Sequence, residues 1–257
     1  MDALKIGDSV MTLDGSYSKV YSFGHYGPDV KTEFLQIHAL GMDQSLEISE
    51  DHLLYIYKAR DQEHPFLVPA SEVEVGDILV MPNQHAAAAQ VKTIRKVNRQ
   101  GLYAPFTTQG DLVVNGVAVS NYIALKDFEK LMSWDLQGWA QHASNAPLRA
   151  ACHLKLGWSC EEETYDPDTG YSANAMFQLR LKAMFFDGYP RIVQAFFVLI
   201  YVTLFMIVEK LVVSGQARLL AAALVYATWK LMRATKKKTK NDKDQQKQKA
   251  TGKVKAL

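Results

Sequence analysis

The chain has 257 residues, of which 48% are hydrophobic, and a formal net charge of +2. That is enough apolar material for a real core and excludes a disordered protein. The small net charge hides an uneven distribution, because from Lys230 onward there are 11 Lys or Arg against 2 Asp, leaving 18 basic and 25 acidic residues in a mildly acidic body. Two cysteines, Cys152 and Cys160, are too few for a disulfide scaffold and lack two partners for a structural zinc site. They read either as one bridge in an oxidising compartment or as two buried thiols. The start, Met1-Asp2-Ala3-Leu4-Lys5, has no apolar h-region and is not read as a signal peptide.

Residues 1–124 predict an all-β region. Leu4-Lys5-Ile6-Gly7-Asp8-Ser9-Val10-Met11 alternates apolar and polar positions around a Gly-Asp turn, and Leu13-Asp14-Gly15-Ser16 is a tight hairpin signal. Val20–His25 and Phe34–Leu40 continue with period 2. Next comes Leu46-Glu47-Ile48-Ser49-Glu50-Asp51-His52-Leu53-Leu54-Tyr55-Ile56, where a β-forming apolar run carries a hydroxyl and an imidazole three residues apart. On residue type alone, Ser49 and His52 are as readily a turn former and a satisfied polar group as a site of chemistry.

A faint internal repeat follows. Leu4-Lys5-Ile6-Gly7-Asp8-Ser9-Val10 returns as Val73-Glu74-Val75-Gly76-Asp77-Ile78-Leu79, with the two Gly-Asp pairs 69 residues apart. This predicts two similar β subdomains related by a pseudo-twofold, against the alternative of two unrelated amphipathic hairpins. The Asn115-Gly116 pair between Asp111–Val114 and Val117–Tyr122 is the strongest hairpin signal in the chain, since a type I′ turn needs positive φ at both central residues.

From Ala124 the period changes. Leu125 to Ala143 predicts a helix, and Ala146 to Leu156 a shorter one after Pro147. Glu161–Gly170 is read as a solvated acidic loop, because its carboxylate spacing departs from the EF-hand pattern. Ile192 to Val208 is an uncharged run of 17 residues that would cover roughly 26 Å as a helix, and no polar stripe runs along it. The sequence therefore predicts a membrane span over 191–213, a possible partner over 217–232 that contains Arg218, and a basic cytosolic tail over 233–257. That tail lacks interleaved aromatics, so nucleic acid is not expected as a partner. No phosphate loop, metal cluster or nucleophile elbow is present, and no metal or cofactor is expected.

Four pieces in order resemble the Hint domain of Hedgehog proteins, the self-cleaving module related to inteins. They are Leu4–Val10, Ser49-Glu50-Asp51-His52-Leu53-Leu54, Val75-Gly76-Asp77-Ile78-Leu79-Val80, and Tyr103–Thr107 through Val113–Tyr122. The resemblance implies a mainly β, Hint-type horseshoe of two pseudo-symmetric subdomains over 1–124. Beyond it lie a helical and acidic-loop extension over 125–188, the membrane segment over 189–232 and the tail.

The resemblance also implies a chemistry. A cysteine at the head of the domain attacks the preceding carbonyl, the peptide bond becomes a thioester, and a second nucleophile opens it. Ser49-Glu50-Asp51-His52 aligns with the family's Thr-x-x-His motif, which makes His52 the general acid/base and puts Ser49 in place of the threonine. His25 aligns with the aspartate that activates a sterol in Hedgehog. It reads equally as a base for a sterol, another alcohol or water, and as a plain strand-end histidine. The family's cysteine is expected some twenty residues before Leu4, ahead of this chain. Asn121, preceded by Ser120, is expected to hydrogen-bond within the fold rather than to cyclise. The expected partners are an N-terminal precursor segment, the acceptor and a lipid bilayer, with the chain at a membrane of the secretory pathway or cell surface. The competing expectation is a non-catalytic, membrane-tethered β module that keeps the fold without the reaction.

Overall fold

The computed structural model describes residues 1–58, 61–82, 89–154, 164–185 and 188–213. The predicted span over 217–232, the tail over 233–257 and Cys160 lie outside them. By compactness the chain divides into Met1–Glu209 and Lys210–Leu257, and all the packing described here is within the first unit.

The strands are β1 (Ser9–Met11), β2 (Tyr17–Ala39), β3 (Leu46–Ile48), β4 (His52–Lys58), β5 (Asp61–Pro69), β6 (Ile78–Leu79), β7 (Val91–Thr107), β8 (Asp111–Val114) and β9 (Val117–Ile123). They form two antiparallel sheets. The first runs β1-β2-β3 with β7 also on β2, and the second runs β5-β4-β9-β8 with β6 also on β4. The two period-2 stretches read as separate in the sequence are one 23-residue strand, β2, whose pairing with β7 slips at several points.

The internal repeat is real at the level of single hydrogen bonds. The Asp8 carboxylate accepts from the Lys5 N–H at 2.8 Å, and Asp77 accepts from Glu74 at the same distance. Gly7 donates to the Val20 carbonyl while Val20 donates back to Asp8; Gly76 and Val91 exchange the same pair of bonds with Asp77. Gly7 and Gly76 have φ of 96° and 105°, a region closed to most side chains, which is why a glycine precedes the aspartate in both copies. The same turn is thus built twice, at Gly7-Asp8 and at Gly76-Asp77. The Asn-Gly hairpin also forms as predicted, with φ of 49° at Asn115 and 87° at Gly116.

Strand β4 organises the interior. Because successive side chains point to opposite faces, Leu54 and Ile56 enter a core with Leu35, Ile37, Leu46, Leu79 and Val117, while Leu53 enters a second one with Tyr21, Leu67, Phe106 and Tyr122. Leu53 and Leu54 are both fully buried. A strand covered on both faces holds its ends rigidly, and His52 is its first residue.

Four helices follow: α1 (Trp134–Ser144), α2 (Ala146–His153), α3 (Ala173–Phe185) and α4 (Arg191–Val213). The helix predicted from Leu125 starts at Trp134 instead, where the Ser133 hydroxyl accepts from the Leu136 N–H and caps it; only a short 3-10 turn, Lys126–Phe128, precedes it. Helix α4 forms over the stretch predicted to span a membrane. Among the described residues, however, no helix is long and apolar enough to cross one.

One side of α4 is instead committed to the protein. Val202 is buried, and Glu209 takes both Nε and Nη2 of the buried Arg149 of α2, at 2.5 and 2.7 Å. Breaking such a pair by removing one partner costs about 3 to 5 kcal/mol, because the other charge is stranded. The opposite side exposes Phe196, Leu199, Ile200, Leu204 and Ile207.

Candidate functional site

Ser49 and His52 sit on the turn between β3 and β4, closed by the His52 N–H donating to the Ser49 carbonyl at 3.0 Å. Two neighbours pin it: the Ser71 N–H donates to the Glu50 carbonyl and Ala124 to that of Asp51, at 2.8 and 2.7 Å. The turn therefore has little freedom, and the imidazole on its last residue is aimed by backbone bonds on both sides.

The ring is then fixed from the second half of the sheet. His52 Nε2 lies 2.7 Å from the carbonyl oxygen of Ser120 in β9. A carbonyl only accepts, so Nε2 is assigned the proton and the basic lone pair falls on Nδ1. This contact needs a distortion of the ladder. His52 pairs with Ile123 and Leu54 with Val119, so the residues between them on β9 bow out and turn a carbonyl towards the ring. Burial holds the His52 imidazole below its ordinary pKa; the bond to Ser120 opposes that, and His25 close by pushes the same way as burial.

His25 occupies a second irregularity. Phe23 pairs with Pro105 and His25 with Ala104, which leaves Gly24 as an extra residue on β2. A bulge of this kind bends a strand and re-aims its side chains. Burial also lowers the His25 pKa, against a hydrogen bond to the Thr169 backbone. Its Nδ1 is buried and has no hydrogen-bond partner. The two histidines singled out from the sequence are thus brought into electrostatic reach of one another, each at a point where regular pairing is interrupted. Ser49 is on the same turn as His52, half-buried.

Asn121 behaves as expected, its amide donating to the carbonyl and hydroxyl of Thr107 at 3.3 Å each. Two elements were not legible. The Ser120 carbonyl carries no residue-type signal, since every residue has one. The loop read as solvated is in part a hairpin docked on β2: Tyr165 bridges Ser172, and Tyr171 bridges His25. Its Pro-Asp-Thr-Gly sequence announced a turn, but no local signal says what a turn packs against. Among the described residues no group of acidic, histidine or cysteine side chains is arranged to hold a metal ion.

A third histidine lies behind the site. His142 Nδ1 is 2.9 Å from the Tyr122 hydroxyl and 3.3 Å from Nη1 of Arg149, whose Nη1 also donates to the His142 carbonyl at 2.5 Å. Burial, and next the Arg149 charge, hold its pKa down to about 4.

Two antiparallel sheets, a Gly-Asp turn that occurs twice and a histidine at the head of the strand buried on both faces define a mainly β class of fold. Residues 1–164 match the Hint module family, well over half of the chain, and the chain belongs to that family. Warthog protein 6 of Caenorhabditis elegans is 32% identical over 134 residues, 49% of this chain and 22% of that protein. Protein hedgehog of Drosophila erecta is 28% identical over 168 residues, 63% of this chain and 34% of that protein. The chain thus spans about a fifth to a third of the length of these curated relatives. A crystal structure of the gp41-1 intein aligns at 16% identity with a TM-score of 0.35, covering 47% of this chain and 85% of that one.

The His142 geometry sets a pH dependence. Its folded pKa of about 4 lies below the ordinary histidine value, so between roughly pH 6.5 and 4 the unfolded chain binds a proton that the folded one refuses. Stability therefore falls as pH drops through that window, by roughly 2 to 3 kcal/mol from this group, and His25 and His52, also lowered, act with the same sign. Urea unfolding at pH 7 and pH 4.5 checks this. His142→Asn, which keeps an acceptor for Tyr122 without titrating, is expected to lose measurably less stability on acidification than the parent; an equal loss contradicts the assignment.

Proposed function

We propose that this Hint domain carries the self-cleaving machinery of a longer precursor. The observation that supports it best is the short Nε2–carbonyl contact between His52 and Ser120, which presents a neutral imidazole with its basic nitrogen free for proton transfer. In this reading a cysteine thiol at the head of the domain gives its proton to His52 Nδ1 as its sulfur attacks the carbonyl carbon of the last residue of the precursor segment. The resulting imidazolium returns the proton to the amide nitrogen. The C–N bond breaks, and a thioester has replaced the amide.

A neutral histidine is suited to this exchange because it must be a base first and an acid immediately afterwards; a pKa held below the ordinary value keeps the ring unprotonated for the first role and makes the imidazolium a readier donor in the second. Ser49, on the same turn, has the place of the family's threonine and serves as the second polar group towards the amide. Cys152 is disulfide-bonded, which leaves it no thiolate with which to begin the sequence.

The second step follows from His25. Its Nδ1 takes the proton of an acceptor hydroxyl, that of water, a simple alcohol or a sterol, whose oxygen attacks the thioester carbonyl; the C–S bond breaks and the cysteine sulfur leaves as a thiolate. An imidazole does at neutral pH what the carboxylate does in Hedgehog-like chains.

The extension supports attachment to a lipid surface. The outer side of α4 shows Phe196, Leu199 and Leu204 at 62%, 61% and 55% exposure, a contiguous apolar stripe a lone soluble helix does not keep. The basic sequence after it, with 11 Lys or Arg from Lys230, suits an anionic leaflet.

Two experiments test these readings. A precursor extended upstream to include a cysteine at the head of the domain is expected to yield a shorter product on a gel, and His52→Ala to slow that about 10² to 10⁴-fold. A precursor that stays intact in both forms leaves the fold as a non-catalytic module. The chain is further expected to co-sediment with phosphatidylserine vesicles, and Leu199→Asp with Leu204→Asp to weaken that at least about tenfold; binding unchanged by both substitutions assigns the contact elsewhere.

A further inference from the structure

The hairpin over residues 164–172 lies almost wholly beyond the stretch matched by the family, yet it is attached to the strand that presents His25. The Tyr26 N–H donates to the Gly170 carbonyl at 2.8 Å and the Ser172 N–H to that of Gly24 at 3.0 Å, one bond on each side of His25. The Tyr171 ring lies against the imidazole with 3.9 Å between centroids, and the Tyr165 ring reaches Tyr26 at 5.4 Å.

The hairpin is itself stiff. The Asp166 carboxylate accepts from the N–H groups of Asp168 and Thr169 and from the Thr169 hydroxyl, at 3.1, 2.8 and 2.8 Å. Gly170 has φ of 73°, and a Cβ there would sit 3.0 Å from Gly27 Cα and 3.1 Å from Gly27 N. Backbone meets backbone at that point, with no room for a side chain.

His25 shares a hydrogen bond with the Thr169 backbone, while its buried Nδ1 has no partner. The Thr169 N–H is spent on Asp166, so its carbonyl is the group left for His25; with Nδ1 unpartnered the bond falls to Nε2, which carries the proton. We propose that this hairpin is a positioning element for the second step, in which Thr169 and Tyr171 lock His25 as the Nε2–H tautomer so that Nδ1 is the base presented to the acceptor hydroxyl. Residues outside the family's core thereby set the protonation geometry of a residue inside it. The inference rests on the proposed self-cleavage, and it deepens it: Thr169, Gly170 and Tyr171 act through His25 and touch no reacting atom.

The tautomer is directly readable in the chain as it stands. Long-range ¹H–¹⁵N correlation of the imidazoles is expected to show His25 with a pyridine-type Nδ1 and a pyrrole-type Nε2. Gly170→Ala, which forces the hairpin off β2 without touching His25, is expected to collapse that pattern to an averaged one, and Tyr171→Ala to weaken it. Tyr171→Phe keeps the ring contact and is expected to preserve it. The His52 and His142 signals, unchanged throughout, report an intact fold.

In the cysteine-bearing precursor, Gly170→Ala is expected to slow acceptor-driven cleavage at least about tenfold while cleavage by added dithiothreitol, which needs only the thioester, proceeds at the parent rate. A parent His25 that is protonated on Nδ1, or a pattern indifferent to Gly170→Ala, overturns the positioning role with self-cleavage untouched. Equal slowing of both cleavage routes overturns it as well. A precursor that never cleaves overturns the proposed function, and with it the catalytic use of this tautomer, even where the NMR pattern is as expected.

Discussion

The hydrogen bond from His52 Nε2 to the Ser120 carbonyl joins the two arms of the second sheet at their head, and it exists only because the β4–β9 ladder skips there. A regular antiparallel pair would have spent that carbonyl on a backbone N–H. Here the skipped pairing frees an acceptor that selects a tautomer, and the tautomer decides which nitrogen can do chemistry. The doubly buried Leu53 and Leu54 hold the strand in place behind it, so the ring is positioned by the core rather than by its own side-chain preferences.

The same device recurs across the fold. At Gly24 the β2–β7 ladder takes an extra residue, and His25 is re-aimed; again one ring nitrogen is given to a backbone carbonyl. Burial lowers the pKa of both imidazoles, and each has one nitrogen turned to the backbone of a distant segment. Bulges next to a site are the expected cost of making a regular sheet deliver side chains to one point.

How much of this the sequence disclosed depends on how local each cause is. The Asn115-Gly116 turn and the paired Gly7-Asp8 and Gly76-Asp77 turns were legible because their backbone angles and carboxylate bonds are fixed within three or four residues. The motif drew attention to His52 and the alignment along Val20–His25 to His25, and the roles of both belong to the proposed function. The Ser120 carbonyl was invisible, and so was the docking of the 164–172 hairpin, because both depend on what a distant segment brings near. The span over 191–213 was read from apolarity alone, which does not reveal that Glu209 at its far end is held by a buried arginine sixty residues earlier. The start of α1 was misplaced for the reverse reason, since the Ser133 cap is local but the preceding apolar spacing imitates a helix.

The central claim is that this imidazole exchanges an amide for a thioester at the front of the domain. Mass spectrometry of the fragment released from a cysteine-bearing precursor by hydroxylamine tests it most directly. The account predicts a hydroxamate at the fragment's new C-terminus, formed at the residue before the cysteine and absent from His52→Ala. A fragment ending in a free carboxylate at some other bond, or the same hydroxamate yield without the imidazole, would contradict it.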